Sequence, residues 1–162
     1  MKELKKVLIE LYKFSTDVLT LNNPIQDKSL IECFEEKFGI ILPTDFKELL
    51  CIHNGIDLMG VSIYGLSGTE NLENVYEFEH NHVVIPQYKY LVPFSPDGGG
   101  NFYCFDTRIH NQNSCPVIFW ASNYLYSNED QPEVVYPTFL SWFREVVIEW
   151  TEESYDFDGN EK

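Results

Sequence analysis

The chain has 162 residues, enough for one domain with a sizeable core, and 44% hydrophobic with 15% aromatic residues argues against disorder. No apolar run approaches the roughly 18 residues that span a bilayer, and the opening MKELKKVLIELYKF interleaves charge with apolar residues instead of building a secretory signal. The formal charge of −15 argues against direct nucleic-acid binding, which needs Lys and Arg to neutralise phosphates.

The cytoplasm is therefore the expected location, and no membrane contact is expected. The charge is uneven along the chain. Residues 1–60 carry a net of −3 and residues 61–162 a net of −12. A field of this sign suits a basic protein partner, because complementary potentials speed encounter and suppress wrong pairings. The plainer reading is that acidity confers solubility.

In chain order, Leu4, Val7, Leu8, Leu11, Phe14 and Val18 recur at steps of three and four, which predicts a helix from about Lys2 to Leu19. Asn22-Asn23-Pro24 breaks the chain. A second helix is predicted from Ser29 to Phe38, capped by Ser29 or Asp27, with Ile31, Phe34 and Phe38 inward and Gly39 at its C′ position. The stretch LPTDFKELLCIHNG, residues 42–55, reads as a complete helix. Pro43 suits its first turn, Thr44 or Asp45 brings an oxygen to the free N–H groups, and Asn54-Gly55 stops it.

After residue 60 the period changes. VSIYGL (61–66) fits a short strand, and Thr69 starts a helix with Leu72, Val75 and Tyr76 inward. Residues 90–107 read as a hairpin: Tyr90 to Phe94, a turn from Pro96 to Gly100, and a return from Asn101 to Asp106. PVIFWA (116–121) fits a central strand, and NEDQPE (128–133) an acidic loop. A closing helix is predicted from about Thr138 to Trp150, with Phe139, Leu140, Phe143, Val146, Val147 and Trp150 inward. The tail TEESYDFDGNEK (151–162) is expected to fray. Helices, then antiparallel hairpins, then one helix define an α+β fold in a single domain, residues 1–162, without repeats or linkers.

Catalytic and metal motifs are lacking. Gly98-Gly99-Gly100 precedes Asn101-Phe102 where a phosphate loop needs Lys and Ser or Thr, so it reads as a hairpin turn. Cys33, Cys51, Cys104 and Cys115 stand singly and read as small buried hydrophobes, with a disulfide pair as the alternative. His80 and His82 read as exposed loop residues. His53 reads as a helix-end residue, and Cys51 and His53 are too close in sequence to face one another on a helix. No cofactor or metal is expected. One constellation stands out. Asp97, Asp106, Glu129, Asp130 and Glu133 lie in loops or strand ends near Tyr124, Tyr126 and Tyr136, a composition that suits a surface for a basic protein. An ordinary solvated face with half-buried tyrosines is the competing reading.

The pattern Ile31-x-x-Phe34-Glu35-x-x-Phe38-Gly39-x-x-Leu42-Pro43-x-Asp45-Phe46-x-x-x-Leu50-x-x-x-Asn54-Gly55 resembles the opening of the SUKH superfamily, in its Smi/Knr branch. Val92-Pro93-Phe94, Gly98-Gly99-Gly100-Asn101, Phe102-Tyr103-Cys104-Phe105-Asp106, Pro116-Val117 and Phe139-Leu140-Ser141-Trp142-Phe143 are similar to its later pieces, so the resemblance covers about residues 29–148. Asn101 departs from it, standing where the family often carries an acidic residue. The resemblance implies a mixed, largely antiparallel sheet flanked by N-terminal helices and a C-terminal helix. It further implies a non-catalytic immunity protein that binds a toxin domain, often a nuclease. The alternatives are a scaffold of the cell-wall-assembly regulator kind, or an enzyme assembled from dispersed residues such as His53 and Asp106.

Overall fold

A computed structural model describes residues 2–111 and 113–162. The first helix, α1 (Lys2–Leu11), buries Leu4, Val7, Leu8 and Leu11. It stops well before the predicted Leu19. Phe14 is buried from a turn, and the chain then enters β1 (Leu19–Leu21), which pairs antiparallel with residues 56–58. Phe14 and Val18 thus lie in the turns between α1 and β1, and the backbone pairing of β1 outweighs the continuation of α1.

The next two helices follow their sequence signals. In α2 (Ser29–Phe38), the Asp27 carboxylate accepts the Ser29 N–H at 2.9 Å, and Gly39 closes the helix at φ 66°. The Ile40 N–H folds back to the Glu35 carbonyl at 3.1 Å, as a Schellman ending requires. α3 (Thr44–Leu50) starts after the extended Pro43 and buries Phe46, Leu49 and Leu50 completely. The strand expected at 61–66 is half of a hairpin, β2 (Ile56–Leu58) and β3 (Val61–Ile63). Met59 and Gly60 join them with φ of 52° and 88°, the mirror-image turn that matches strand twist.

α3 ends at Leu50, short of its expected stop at Asn54-Gly55, and that pair serves the join that follows. The Asn54 Oδ1 accepts the Leu66 N–H at 2.7 Å and its amide donates to Ser67 Oγ at 2.5 Å, so one side chain ties the helix end to the segment after β3. Gly65 passes so close that a Cβ there would lie 2.3 Å from the Asn54 carbonyl oxygen. The residue pair sets the join between helix and sheet.

The helix expected from Thr69 begins later, as α4 (Leu72–Asn81), because the Asn71 side chain accepts the Asn74 N–H at 3.0 Å and outcompetes Thr69 as cap. The predicted hairpin is β4 (Leu91–Pro96) and β5 (Phe102–Asp106), followed by β6 (Val117–Trp120). A short strand absent from the sequence reading, β7 (Val134–Tyr136), completes the set. The closing helix opens with α5 (Phe139–Trp142), whose cap Thr138 and residue Ser141 form a reciprocal capping box. It continues through a π-helical stretch (Phe143–Glu149) into α6 (Trp150–Ser154). The wider turn advances the buried stripe by one residue. Trp150, predicted inward, is therefore 47% exposed, and Thr151 takes the inner position with its hydroxyl on the Val147 carbonyl at 2.8 Å.

The result is a single α+β domain with two antiparallel sheets, ordered β1-β2-β3 and β4-β5-β6-β7. The sheets adjoin where the Tyr64 N–H donates to the Phe94 carbonyl at 2.9 Å. The main core lies between the helices and the inner sheet faces. Phe46, Phe94, Phe105, Phe139 and Trp142 pack there ring on ring, with Phe94 and Phe105 stacked at 4.0 Å. A smaller core of Leu91, Cys104, Ile118 and Trp120 covers the outer face of the second sheet.

The tail, expected to fray, is tied down. Phe157 packs edge-on against Phe14 at 5.2 Å, its carbonyl accepts the Ser15 N–H at 2.8 Å, and Tyr155 bridges to Glu161. The edge-on ring contact and main-chain pairing offset the repulsion among its acids. All four cysteines are free, and Cys33 is exposed where a buried residue is expected. It lies on the outer side of α2, whose inner face belongs to Ile31 and Phe34.

Candidate protein-binding surface

The eight acidic and tyrosine residues singled out above are distributed over three places. Asp97 closes the β4–β5 turn. Its carboxylate accepts the N–H groups of Gly99 (2.7 Å) and Asn101 (2.8 Å) and the Asn101 side-chain amide (2.8 Å). Partial burial pushes the Asp97 pKa upward, but these hydrogen bonds prevail and hold the carboxyl below its usual range. The same geometry explains Asn101. Its amide donates to Asp97 while its Oδ1 accepts the Ser122 N–H at 3.0 Å, and a carboxylate there would face Asp97 with like charge.

Asp106 lies at the far end of β5, four residue steps and so about 13 Å from the turn. It is only 3% exposed and accepts Nε and Nη2 of Arg108 at 3.0 and 2.7 Å. The Arg108 guanidinium rests 3.7 Å above the Tyr90 ring. Both carboxylates are thus held by groups of their own hairpin, Asp97 at its exposed turn and Asp106 buried at its other end.

The other six belong to the connection between β6 and β7 and to β7 itself. Glu129, Asp130 and Glu133 are exposed, and so is Tyr124, whose hydroxyl donates to the Asp130 carboxylate. Tyr124 meets Tyr126 edge-on at 4.9 Å, and Tyr126 packs on Trp120 at 4.6 Å while its hydroxyl accepts the Ala121 N–H. Trp120 in turn meets Tyr88 (5.6 Å), and Tyr88 stacks with Tyr90 (5.4 Å) under Arg108. A strip of aromatic rings therefore runs across the outer sheet face from the acidic loop to Arg108. The partnership of Tyr88 and Tyr90 with Trp120 is not visible in sequence, because the tyrosines lie in the loop before β4 and Trp120 ends β6.

Tyr136 faces the other way. Its hydroxyl donates to Glu145 Oε1 at 3.1 Å on the closing helix, and burial followed by that carboxylate pushes its pKa up to about 12. The structure thus brings Tyr124, Tyr126, Glu129 and Asp130 together and sets Tyr136 on the inner side. Leu125, 78% exposed, and Val134 and Val135 at 54% and 42% add apolar surface that the acidic pattern conceals.

Several titratable groups outside this cluster are engaged within the fold. His80, read from sequence as an exposed loop residue, is buried on α4, because the helix runs past it and stacks its ring on Tyr76 at 3.8 Å. Its Nδ1 lies 2.6 Å from the Tyr76 carbonyl and its Nε2 3.0 Å from that of Tyr88; burial lowers its pKa against these contacts. His53 Nε2 meets the Tyr12 hydroxyl at 2.6 Å. Cys115 touches His110 at 3.5 Å, yet burial, then Asp45 and Asp106, push the thiol up to about 12, the reverse of an activated nucleophile. Among the described residues no three His, Cys, Asp or Glu side chains gather as a metal would need, and no helix is long and apolar enough to cross a membrane.

Residues 27–145 match the SMI1 / KNR4 family (SUKH-1), and the chain belongs to that family. A stretch of 56 residues is 36% identical to the uncharacterized protein YnaB of Bacillus subtilis (strain 168), covering 34% of this chain and only 39% of that protein's length. A crystal structure of a protein from Pseudomonas syringae pv. tomato superposes with a TM-score of 0.60 over 92% of this chain and 99% of that one; at 17% identity it speaks for the fold alone.

Proposed function

We propose that this chain is an immunity protein, a cytoplasmic binding domain that seats its acidic surface on a basic toxin domain and blocks it by stoichiometric contact. The observation that carries the reading is the exposed 129–133 acidic loop beside the exposed Tyr124 and Leu125, on a chain of the SMI1 / KNR4 family. A nuclease domain must attract phosphate and so is basic around its cleft. A domain with net −12 in its second half would be steered onto such a cleft and would exclude substrate. Nothing in this role needs a cofactor, a metal or catalysis.

Purified protein incubated with the product of the neighbouring gene should form a tight, salt-sensitive one-to-one complex. Replacing Glu129, Asp130 and Glu133 together by Lys should slow association by about tenfold or more, with little change in unfolding. Unchanged association would remove these residues from the interface. Capture of an endogenous cell-wall protein, with indifference to the neighbour's product, would favour the regulatory scaffold that the Smi/Knr resemblance also implies.

A further inference from the structure

We infer that β7 is the docking edge of this surface, and that an extended Lys- or Arg-bearing segment of a partner protein adds to it as a further strand of the second sheet. This deepens the protein-binding reading above and rests on it. In the order β4-β5-β6-β7, β7 hydrogen-bonds to β6 on one side and lies at the end of the sheet. The opposite end is not open in the same way, since the Tyr64 N–H after β3 already bonds the Phe94 carbonyl of β4. Sheet edges are templates for another strand, and proteins guard them with charged side chains, Pro, bulges, short length or a covering segment. β7 has the short length, the bulged register and flanking prolines, which limit pairing to a short window, but no charge of its own. Here neither Val134 nor Val135 is charged, and both are substantially exposed. Pro132 and Pro137 bracket the strand and confine pairing to this short window.

Charge selects the occupant. No Lys or Arg occurs between Arg108 and Arg144, so the edge has no cation of its own along that whole stretch. Glu129, Asp130 and Glu133 precede β7, and Glu145 lies against Tyr136 at its other end. A second copy of this chain would bring the same acids to the same edge and be repelled. A basic segment would place alternate cationic side chains among these carboxylates while its main chain pairs with β7. The window of three residues spans about 10 Å. Main-chain bonding there fixes register, and Tyr124, Leu125 and the loop acids supply the rest of the contact.

The test uses an alternating lysine–valine heptapeptide, with a glutamate–valine heptapeptide as control, and reads amide hydrogen exchange along the full chain. Slowed exchange at Val134–Tyr136 with the lysine peptide alone, abolished by Val134→Lys, supports the inference. A second variant, Val135→Pro, should lose the protection while its melting temperature reports that the fold persists. Protection confined to the 128–133 loop, no binding of the lysine peptide, or dimerisation of the free protein through β7 would each overturn strand addition. Because no toxin is present, the result is independent of the pull-down that decides the immunity reading.

Discussion

Two stretches of similar composition behave in opposite ways. In residues 42–67, polar groups find partners within the fold: the Leu42 N–H and Lys47 both donate to Glu35 Oε1 of α2, at 2.8 and 2.9 Å, Asp45 is buried, and Asn54 clamps Leu66 and Ser67. In residues 124–136, carboxylates and apolar side chains both face solvent, and β7 is the last strand of its sheet. Residue type alone does not separate framework from interface. What separates them is whether each polar atom already has a partner inside the fold, because a satisfied group has little left to offer a second protein.

The comparison can be broken most severely at Phe46. It is fully buried among Phe94, Phe105 and Phe139, so Phe46→Ala should cost about 3–5 kcal/mol in urea unfolding. Binding should weaken only as far as the protein unfolds; a folded variant that no longer binds would put the interface in the framework.

Asp45 comes next. Burial pushes its pKa from 3.8 up to about 6, against hydrogen bonds from Ser114 and the Phe46 N–H that favour the charged form. The folded state therefore holds this proton more tightly than the unfolded chain. Its contribution is fully present below pH 3.8 and is lost as pH rises through about 6, a change on the order of 3 kcal/mol. Asp45→Asn should flatten stability between pH 4 and 6 and raise it at neutral pH, measured by denaturant melts across that window. A wild-type curve without a fall in this window would show that the carboxyl is ionised in the fold.

Asn54→Ala should cost about 1–3 kcal/mol, since it leaves the buried Leu66 N–H without its acceptor. At the small end, Tyr124→Phe removes only an exposed hydroxyl bond to Asp130 and should shift stability by less than about 0.5 kcal/mol. Its effect should fall on partner affinity, so calorimetric titration with equal affinities for both forms would take the hydroxyl out of the interface.

Legibility follows element length and the range of the contacts. α2, α3, the β4–β5 hairpin, β6 and the capping end of the closing helix were readable, because caps, turn residues and a stripe of several apolar positions lie within a few residues of one another. β1, β2 and β7 are three residues each, too short for an alternating pattern to show. Phe14 and Val18 continued a helical rhythm by coincidence, and His80 looked solvated because its two carbonyl partners come from its own helix and from the loop after it. Of the surface residues, the acids were visible as composition. That Asp97 and Asp106 are engaged inside the hairpin was not.

By itself, then, the sequence determined the α+β class, the family and the uneven charge, since these rest on residue type and short-range spacing. Only the tertiary structure decided that the strands form two sheets, that a π-helical turn exchanges Trp150 for Thr151 in the core, and that β7 is left as an edge. Each of these depends on which distant backbone groups meet. Such pairings are set by packing the whole chain at once, and no local pattern records them.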